Sequence, residues 1–419
     1  MYLTDRSTPP GADTEQGRRR GPVPKVAPVV LVLGAVSLIT DISSEMVTAV
    51  LPLYLVSTLG FSPLGFGTLD GVYNGVSALV QLTGGHLADR VRGHKLLAGL
   101  GYGLSALCKP LLLLASGLGT LGTVLALERT GKGLRTAPRD AMISLSTPAG
   151  HQGRAFGVHR AMDTTGAMLG PLAAFLILRA AADGYDAVFG VSACVAALGV
   201  LVLVLFVPGR RHSAPGAADG RQPVRVREAL ALLRLPRLRA LAGCAALLGL
   251  TTVSDAFVYL LLQRRAGVGE QWFTLLPLGT AAVFLLLAVP VGGLADRAGR
   301  RTVFLAGHMG LLIAYALLLW APATPALPFL VLALHGTFYA ATDGVLPAAL
   351  AGIVPEQLRA SGLAIVGTSQ ALARFCCSLA FGAAWTVWGD GPALAGSAVG
   401  LLCCAAAAGM VLRPTGGAR

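Results

Sequence analysis

Two stretches of this chain place ionisable side chains at helical spacing inside apolar sequence. Asp41 and Glu45 stand four residues apart, on one face of a helix, within the hydrophobic run Pro28 to Leu59. Glu128, Lys132, Arg135 and Arg139 are spaced four, three and four and form a single stripe. Glu128 standing N-terminal to Lys132 predicts an i,i+4 ion pair. Asp70, Lys109, Arg129, Arg160, Asp163, Asp255, Asp343 and Arg374 also fall within apolar blocks. A charge at the centre of a bilayer costs about 2.5–3.5 kcal/mol on the insertion scale, so this many persist only if they face one another or a water-filled cavity. Low-dielectric surroundings favour the neutral form of a carboxylate, which gives Asp41, Glu45 and Asp255 the chemistry of proton carriers. For each of them the alternative is a structural ion pair with Lys109, Arg129 or Arg374. The candidate proton-coupling and substrate set is Asp41, Glu45, Asp70, Lys109, Arg129, Lys132, Asp163, Asp255 and Arg374.

The elements that must position these residues are membrane spans. Of 419 residues, 54% are hydrophobic and only 13% charged, about half the charge of a soluble domain. The apolar residues come in blocks of about 20, the length a helix needs to cross a bilayer. Blocks and breakers give approximate spans at 28–57, 65–88, 96–115, 119–141, 154–178, 187–207, 238–262, 271–294, 302–320, 327–350, 361–388 and 391–412. The fourth and fifth are interrupted by charge, and a cytoplasmic loop is the alternative for the fourth. The expected fold is an all-α membrane protein of about twelve transmembrane helices in two pseudo-symmetric six-helix bundles.

The net charge of +13 does not indicate nucleic acid, because the basic residues sit in short loops and one linker without interleaved aromatics. They fix topology instead. One side carries Arg90, Lys95, Arg154, the linker arginines and Arg297, Arg300, Arg301 and Arg359; the other has Arg179, Arg264 and Arg265. That asymmetry places both termini in the cytoplasm of a multi-pass protein of the cell membrane. The expected organisation is a disordered basic tail over 1–27 without a signal peptide, a first bundle over 28–207 and a linker over 208–237. A second bundle over 238–412 and a short tail over 413–419 follow. Within the linker, Val224 to Leu235 could form an amphipathic helix on the anionic leaflet.

Seven cysteines all lie in apolar blocks without a C-x-x-C pair and read as packing residues. His308 and His335 are isolated and expected to pack against polar neighbours. Gly117 to Gly122 matches G-x-G-x-x-G by letter, but it follows no strand. Neither zinc spacing nor a P-loop is present, so no metal, cofactor or ATP is expected.

The halves repeat. Gly85-His-Leu-Ala-Asp89-Arg90 follows the second span, and Gly292-Gly-Leu-Ala-Asp296-Arg297-Ala-Gly-Arg300-Arg301 follows the eighth. Thr40-Asp41 in the first span likewise recurs as Ser254-Asp255 in the seventh. This turn resembles the loop signature of the major facilitator superfamily, nearly complete in its second copy. The first copy departs after Arg90, with the Gly and Arg order swapped in Val91-Arg92-Gly93. In that family the loop is a conformational latch, so the resemblance implies gating roles for Gly85, Asp89, Arg90, Gly292, Asp296, Arg297 and Arg301. Gly166-Ala-Met-Leu-Gly170-Pro171 is similar to the fifth-helix signature of members that exchange a substrate for protons; an ordinary small-residue packing face is the alternative. Arg129 resembles the arginine of the fourth-helix signature, with Lys132 where that signature has glutamine.

The resemblance spans roughly residues 28 to 412 and implies a monomeric secondary transporter, not an enzyme. Its partners would be a small-molecule substrate, protons and the lipid bilayer. The expected function is proton-coupled efflux of a drug or metabolite by alternating access, with Arg129 biasing the protonatable carboxylate. The alternatives are import of an organic anion or siderophore-like metabolite, held by Lys109, Arg129, Lys132, Arg135 and Arg374, and a non-transporting sensor or assembly partner.

Overall fold

A computed structural model describes residues 26–90, 94–147, 152–181, 183–208, 232–343, 354 and 359–412. All regular structure among them is helical. Expectations for the N-terminal tail before residue 26, for the linker over 209–231, which includes most of the amphipathic segment, and for the C-terminal tail fall outside the described residues; Leu232–Arg234 is a single 3₁₀ turn.

Among the described residues, thirteen helices of 12 to 30 residues and one four-residue turn follow the apolar blocks. They are α1 (Pro28–Leu53), extended by a π-helical turn over Tyr54–Thr58, α2 (Pro63–Arg90), α3 (His94–Leu111), α4 (Leu118–Leu145), α5 (Gln152–Ala180) and α6 (Gly184–Phe206). Then come α7 (Pro236–Gly249), α8 (Asp255–Ala266), the single turn α9 (Glu270–Phe273), α10 (Leu276–Ala298), α11 (Arg300–Trp320), α12 (Leu327–Thr342), α13 (Arg359–Trp388) and α14 (Asp390–Val411). The charge-interrupted fourth block is a continuous helix, not a loop. The seventh block is divided, because the backbone leaves the helix between Gly249 and Asp255.

Turns are compact where glycine allows it. Gly299 alone separates α10 from α11 at φ 92°, a conformation that side chains with a Cβ rarely adopt. Seven stretches among the described residues have the length and hydropathy to cross a membrane. Their outer faces match lipid rather than water: Leu286, Val289, Trp320, Val387 and Trp388 are all largely exposed. Cys108, Cys244 and Cys377 are buried and every cysteine is free.

The helix pairings of the first part recur in the second. α1 packs on α5 and α6, α2 on α4, and α3 on α4 and α6. In the second part α7 packs on α13 and α14, α10 on α12, and α11 on α12 and α14. The two sets meet chiefly along α2 and α13, which run antiparallel. There the Leu64 amide donates to Thr386 Oγ1 at 3.0 Å, Gly67 meets Ser378, and Gly71 and Gly75 abut Phe375. At the same end Phe66 packs edge-on against Phe257, Phe175 against Trp272, and Tyr185 donates to Glu270. This end, which carries the α1–α2 turn, is closed.

Candidate functional site

The α4 stripe is the spine of a buried charge network in the first set of helices. Arg135 Nη2 donates to Asp41 Oδ1 on α1 at 3.1 Å, and its guanidinium lies 4.4 Å from the centre of the Tyr102 ring on α3. Two turns away, Glu128 takes Lys109 of α3 at 3.2 Å and its neighbour Arg129 at 3.0 Å. Ser44 Oγ also donates to Glu128. Arg129 stacks on Tyr73 of α2 at 3.4 Å to the ring centre, a cation–π contact. At the far end Arg139 reaches Asp140, Asp163 of α5 and Ser37, which also bonds His159. Glycine makes the approach of these helices possible. A Cβ on Gly101 or Gly131 would collide with the facing backbone of α3 and α4, so the stripe lies directly against its partners.

Several expectations change in detail. The predicted Glu128–Lys132 pair does not form; Lys132 instead reaches Glu45 on α1 at 3.5 Å. Arg129 does not hold Asp41: Arg135 of the stripe takes that carboxylate, while Arg129 pairs with Glu128. The charges therefore stand at membrane depth largely by mutual neutralisation. Side-chain exposure is 9% for Asp41 and 3% for Arg135, against 26% for Glu45 and 32% for Lys132. Of these four side chains, Glu45 and Lys132 alone keep substantial exposure.

The second set is organised around the break in the seventh block. Asp255 begins α8, where the helix dipole favours a negative charge, and its side chain is 45% exposed. Tyr339 of α12 donates to it at 2.5 Å, and His335 Nε2 lies 3.3 Å away. His335 is thus beside a carboxylate, a placement sequence spacing did not indicate. The unwound residues are partly satisfied by side chains: the Val253 amide donates to Tyr315 Oη at 2.8 Å, and Cys377 Sγ donates to the Thr252 carbonyl. Across the seam, Ser378 of α13 donates to Asp70 of α2 at 2.5 Å, joining the two sets directly.

Next to the break lies a cavity of about 140 Å³. Thr252, His308, Asp343, Gln370 and Arg374 supply its polar groups, with Phe304, Phe338 and Val366 among the apolar ones. A far smaller cavity between α1, α3 and α4, of about 10 Å³, is bordered by Lys109, Glu128 and Arg129. It has room for a single water at most.

The remaining motif residues serve packing and surface contacts. Gly166 and Gly170 lie against α1: a Cβ on the first would meet the Leu38 backbone, and one on the second would come within 2.7 Å of Glu45 Cβ. Pro171 follows within α5 without ending it. In the second loop copy Asp296 pairs with Arg300 at 3.5 Å and Arg301 donates to the Gly409 carbonyl of α14, while Gly292 and Arg297 stand at the surface. Gly85, Asp89 and Arg90 lie in the last turns of α2, and their side chains fall outside the described residues.

Comparison with known proteins gives one answer. The family model described as Major Facilitator Superfamily matches residues 33–378. An uncharacterized MFS-type transporter of Methanocaldococcus jannaschii is 30% identical over 381 residues, covering 89% of this chain and 92% of its own. An uncharacterized Mycobacterium tuberculosis protein is 32% identical over 225 residues, 52% of this chain and 47% of that protein. Among solved structures, the nucleoside transporter NupG superposes with a TM-score of 0.78 at 13% identity, covering 93% of this chain and all of its own. A bacterial homolog of the human lysosomal transporter Spinster, inward-facing and unoccupied, gives 0.68 at 17% identity, covering 92% of this chain and 94% of that one. At such identities these two likenesses establish the fold alone. The family match over most of the chain, together with the repeated helix pairings, means that this chain belongs to the Major Facilitator Superfamily, membrane-embedded secondary transporters, not enzymes, that move small molecules by alternating access.

Proposed function

We propose that this protein exports a small organic molecule from the cytoplasm in exchange for protons, as a monomer of twelve spans in two six-helix lobes with both termini cytoplasmic. The twelve spans are counted with α7 and α8 as one broken helix. The closed end then faces outside, since the opposite end carries the basic loops, and the conformation is inward-facing. Proton entry falls to Glu45 and Asp255. The observation that carries this reading is their exposure: each is a carboxylate within an apolar block whose side chain stays 26% and 45% exposed, beside partners, Lys132 for the first and Tyr339 and His335 for the second, whose contacts change with its protonation. When Glu45 is protonated, Lys132 is released; when Asp255 is protonated, Tyr339 and His335 are. Each event alters the charge lining the pathway and so the relative stability of the two access states. Asp41 and Arg135 hold α1 to α4, Gly166, Gly170 and Pro171 shape the α1–α5 contact, and the Asp89 and Asp296 loops latch the cytoplasmic side in the alternate state.

The test uses everted vesicles carrying an imposed pH gradient, challenged with a panel of cationic, neutral and anionic dyes. Export predicts that a transported dye accumulates only with the gradient and releases protons as it does so. Gradient-driven accumulation should collapse in Glu45→Gln and Asp255→Asn. Undiminished accumulation by both variants, or by vesicles without a gradient, overturns proton exchange.

Import of an organic anion is the second reading. It draws support from one group, Arg374, which lines the larger cavity without a paired carboxylate. Gradient-dependent uptake of an anion into intact cells decides for it.

A further inference from the structure

The cations of the first set of helices are already spent. Lys109 and Arg129 share Glu128, Lys132 holds Glu45, Arg135 holds Asp41, and Arg139 holds Asp140. An anion entering there would compete with an existing carboxylate. Arg374 on α13 is different. It makes no hydrogen bond or ion pair with any described residue; Asp255 and Asp343 act on it electrostatically, but neither lies within 4.0 Å. Its nitrogens are not sealed from solvent, since none is among the buried polar atoms that lack a partner. It lines the cavity beside the α7–α8 break. A guanidinium at membrane depth with no anion bound to it is costly unless a ligand or water fills that role.

From these observations we propose that the cavity bounded by α7, α11, α12 and α13 binds a compact organic anion, a carboxylate with a small apolar or aromatic body. The guanidinium fork suits a carboxylate, which it can take bidentately. Gln370 and Thr252 offer further hydrogen-bonding groups, while Phe304, Phe338 and Val366 form a wall for the body of the ligand. That wall separates this site from one for an inorganic ion. A volume of about 140 Å³ lies below the roughly 300–1,000 Å³ typical of drug-sized ligands, so the site takes a small acid or the acidic end of a larger molecule. The inference rests on the transport reading only for its purpose. Binding itself is measured without a gradient.

The experiment takes the full-length protein purified in detergent and measures its thermal shift with benzoate and with benzamide, its neutral counterpart. Benzoate should stabilise the protein in a saturable way and benzamide should not. Arg374→Gln should weaken benzoate at least about tenfold, the scale of a lost charge-assisted hydrogen bond, and Arg374→Lys should recover part of it. A second variant, Gly367→Leu, keeps the arginine and fills the cavity; Gly367 lines it with nothing within 4 Å of an added Cβ. It should abolish the response even if Arg374→Gln folds poorly. Equal responses to acid and amide, a response surviving Gly367→Leu, or no benzoate response at all overturns the site. Intact benzoate binding with no flux in the vesicle assay removes the transport reading and leaves the site standing.

Discussion

Replacing Asp41 by asparagine separates buried neutralisation from surface pairing. Asp41 and Arg135 meet at 3.1 Å with side chains 9% and 3% exposed. Asp41→Asn removes the negative charge and leaves Arg135 with the face of Tyr102, at 4.4 Å, and the more distant Glu128 for compensation. Stranding one partner of a buried pair costs about 3–5 kcal/mol. Glu45 and Lys132 are 3.5 Å apart, with exposures of 26% and 32%, so water screens what remains when Glu45→Gln is made, and about 1 kcal/mol or less is lost. For a cooperative unit of roughly 150–250 residues, each kcal/mol moves the melting temperature by about 2–4 °C. Asp41→Asn should therefore melt about 6–20 °C below the parent and Glu45→Gln within about 4 °C of it. Fluorescence-detected size-exclusion chromatography after heating gives both values. The double variant Asp41→Asn/Arg135→Gln should regain much of the loss, because the uncompensated charge is gone. Equal losses for the two single variants, or a double variant worse than Asp41→Asn, would refute the idea that neutralisation within the helices keeps these charges in place.

The same logic applies elsewhere in the molecule. Gly166→Leu should lower the melting temperature by the equivalent of about 1–3 kcal/mol as α5 is pushed off α1, whereas Gly103→Ala, with open space around an added Cβ, should be neutral or slightly stabilising in the same heating assay. In a cysteine-free background, an oxidised Leu64→Cys/Thr386→Cys pair should hold α2 to α13 at the closed end, stop flux in vesicles and restore it on reduction; full flux while cross-linked would show that this end does not open. Asp255→Cys should react with a membrane-impermeant thiol reagent in everted vesicles and not in intact cells, and the reverse pattern would invert the assigned orientation.

Much of this arrangement was legible in the residues. Apolar block length located the helices, because bilayer thickness fixes it. The four, three, four spacing on α4 placed Glu128, Lys132, Arg135 and Arg139 on one face before any partner was known. Partner choice was not legible. Whether Lys132 takes Glu128 or Glu45 depends on how closely α1 approaches α4, which is a matter of helix packing rather than of helical periodicity. The break between Gly249 and Asp255 also escaped notice. Thr251, Thr252 and Val253 carry neither proline nor glycine, and the break is stabilised by Tyr315 and Cys377 from other helices, contacts of long sequence separation. For the same reason His335 read as isolated until α12 brought it and Tyr339 to Asp255.

The two sets of helices share a packing plan and differ in how they treat charge. Every principal pairing among α1 to α6 recurs among α7 to α14, so the scaffold is duplicated. On that common frame the first set closes its ionisable groups on one another, leaving a cavity of about 10 Å³, while the second leaves Arg374 unpaired beside one of about 140 Å³. A self-neutralised network resists rearrangement, because moving any helix in it strands a buried charge. A broken helix whose backbone is held by single side-chain bonds costs less to rearrange, and a ligand can supply the missing anion. On the proposed reading, ligand binding in the second set would add to the bias between access states that protonation of Glu45 and Asp255 supplies, since a ligand shifts a conformational equilibrium only by as much as it prefers one state. Asp70 and Ser378, one from each set, are hydrogen-bonded across the seam, so on that reading Ser378→Ala should loosen the coupling between ligand binding and closure of the α2–α13 contact without touching either cavity.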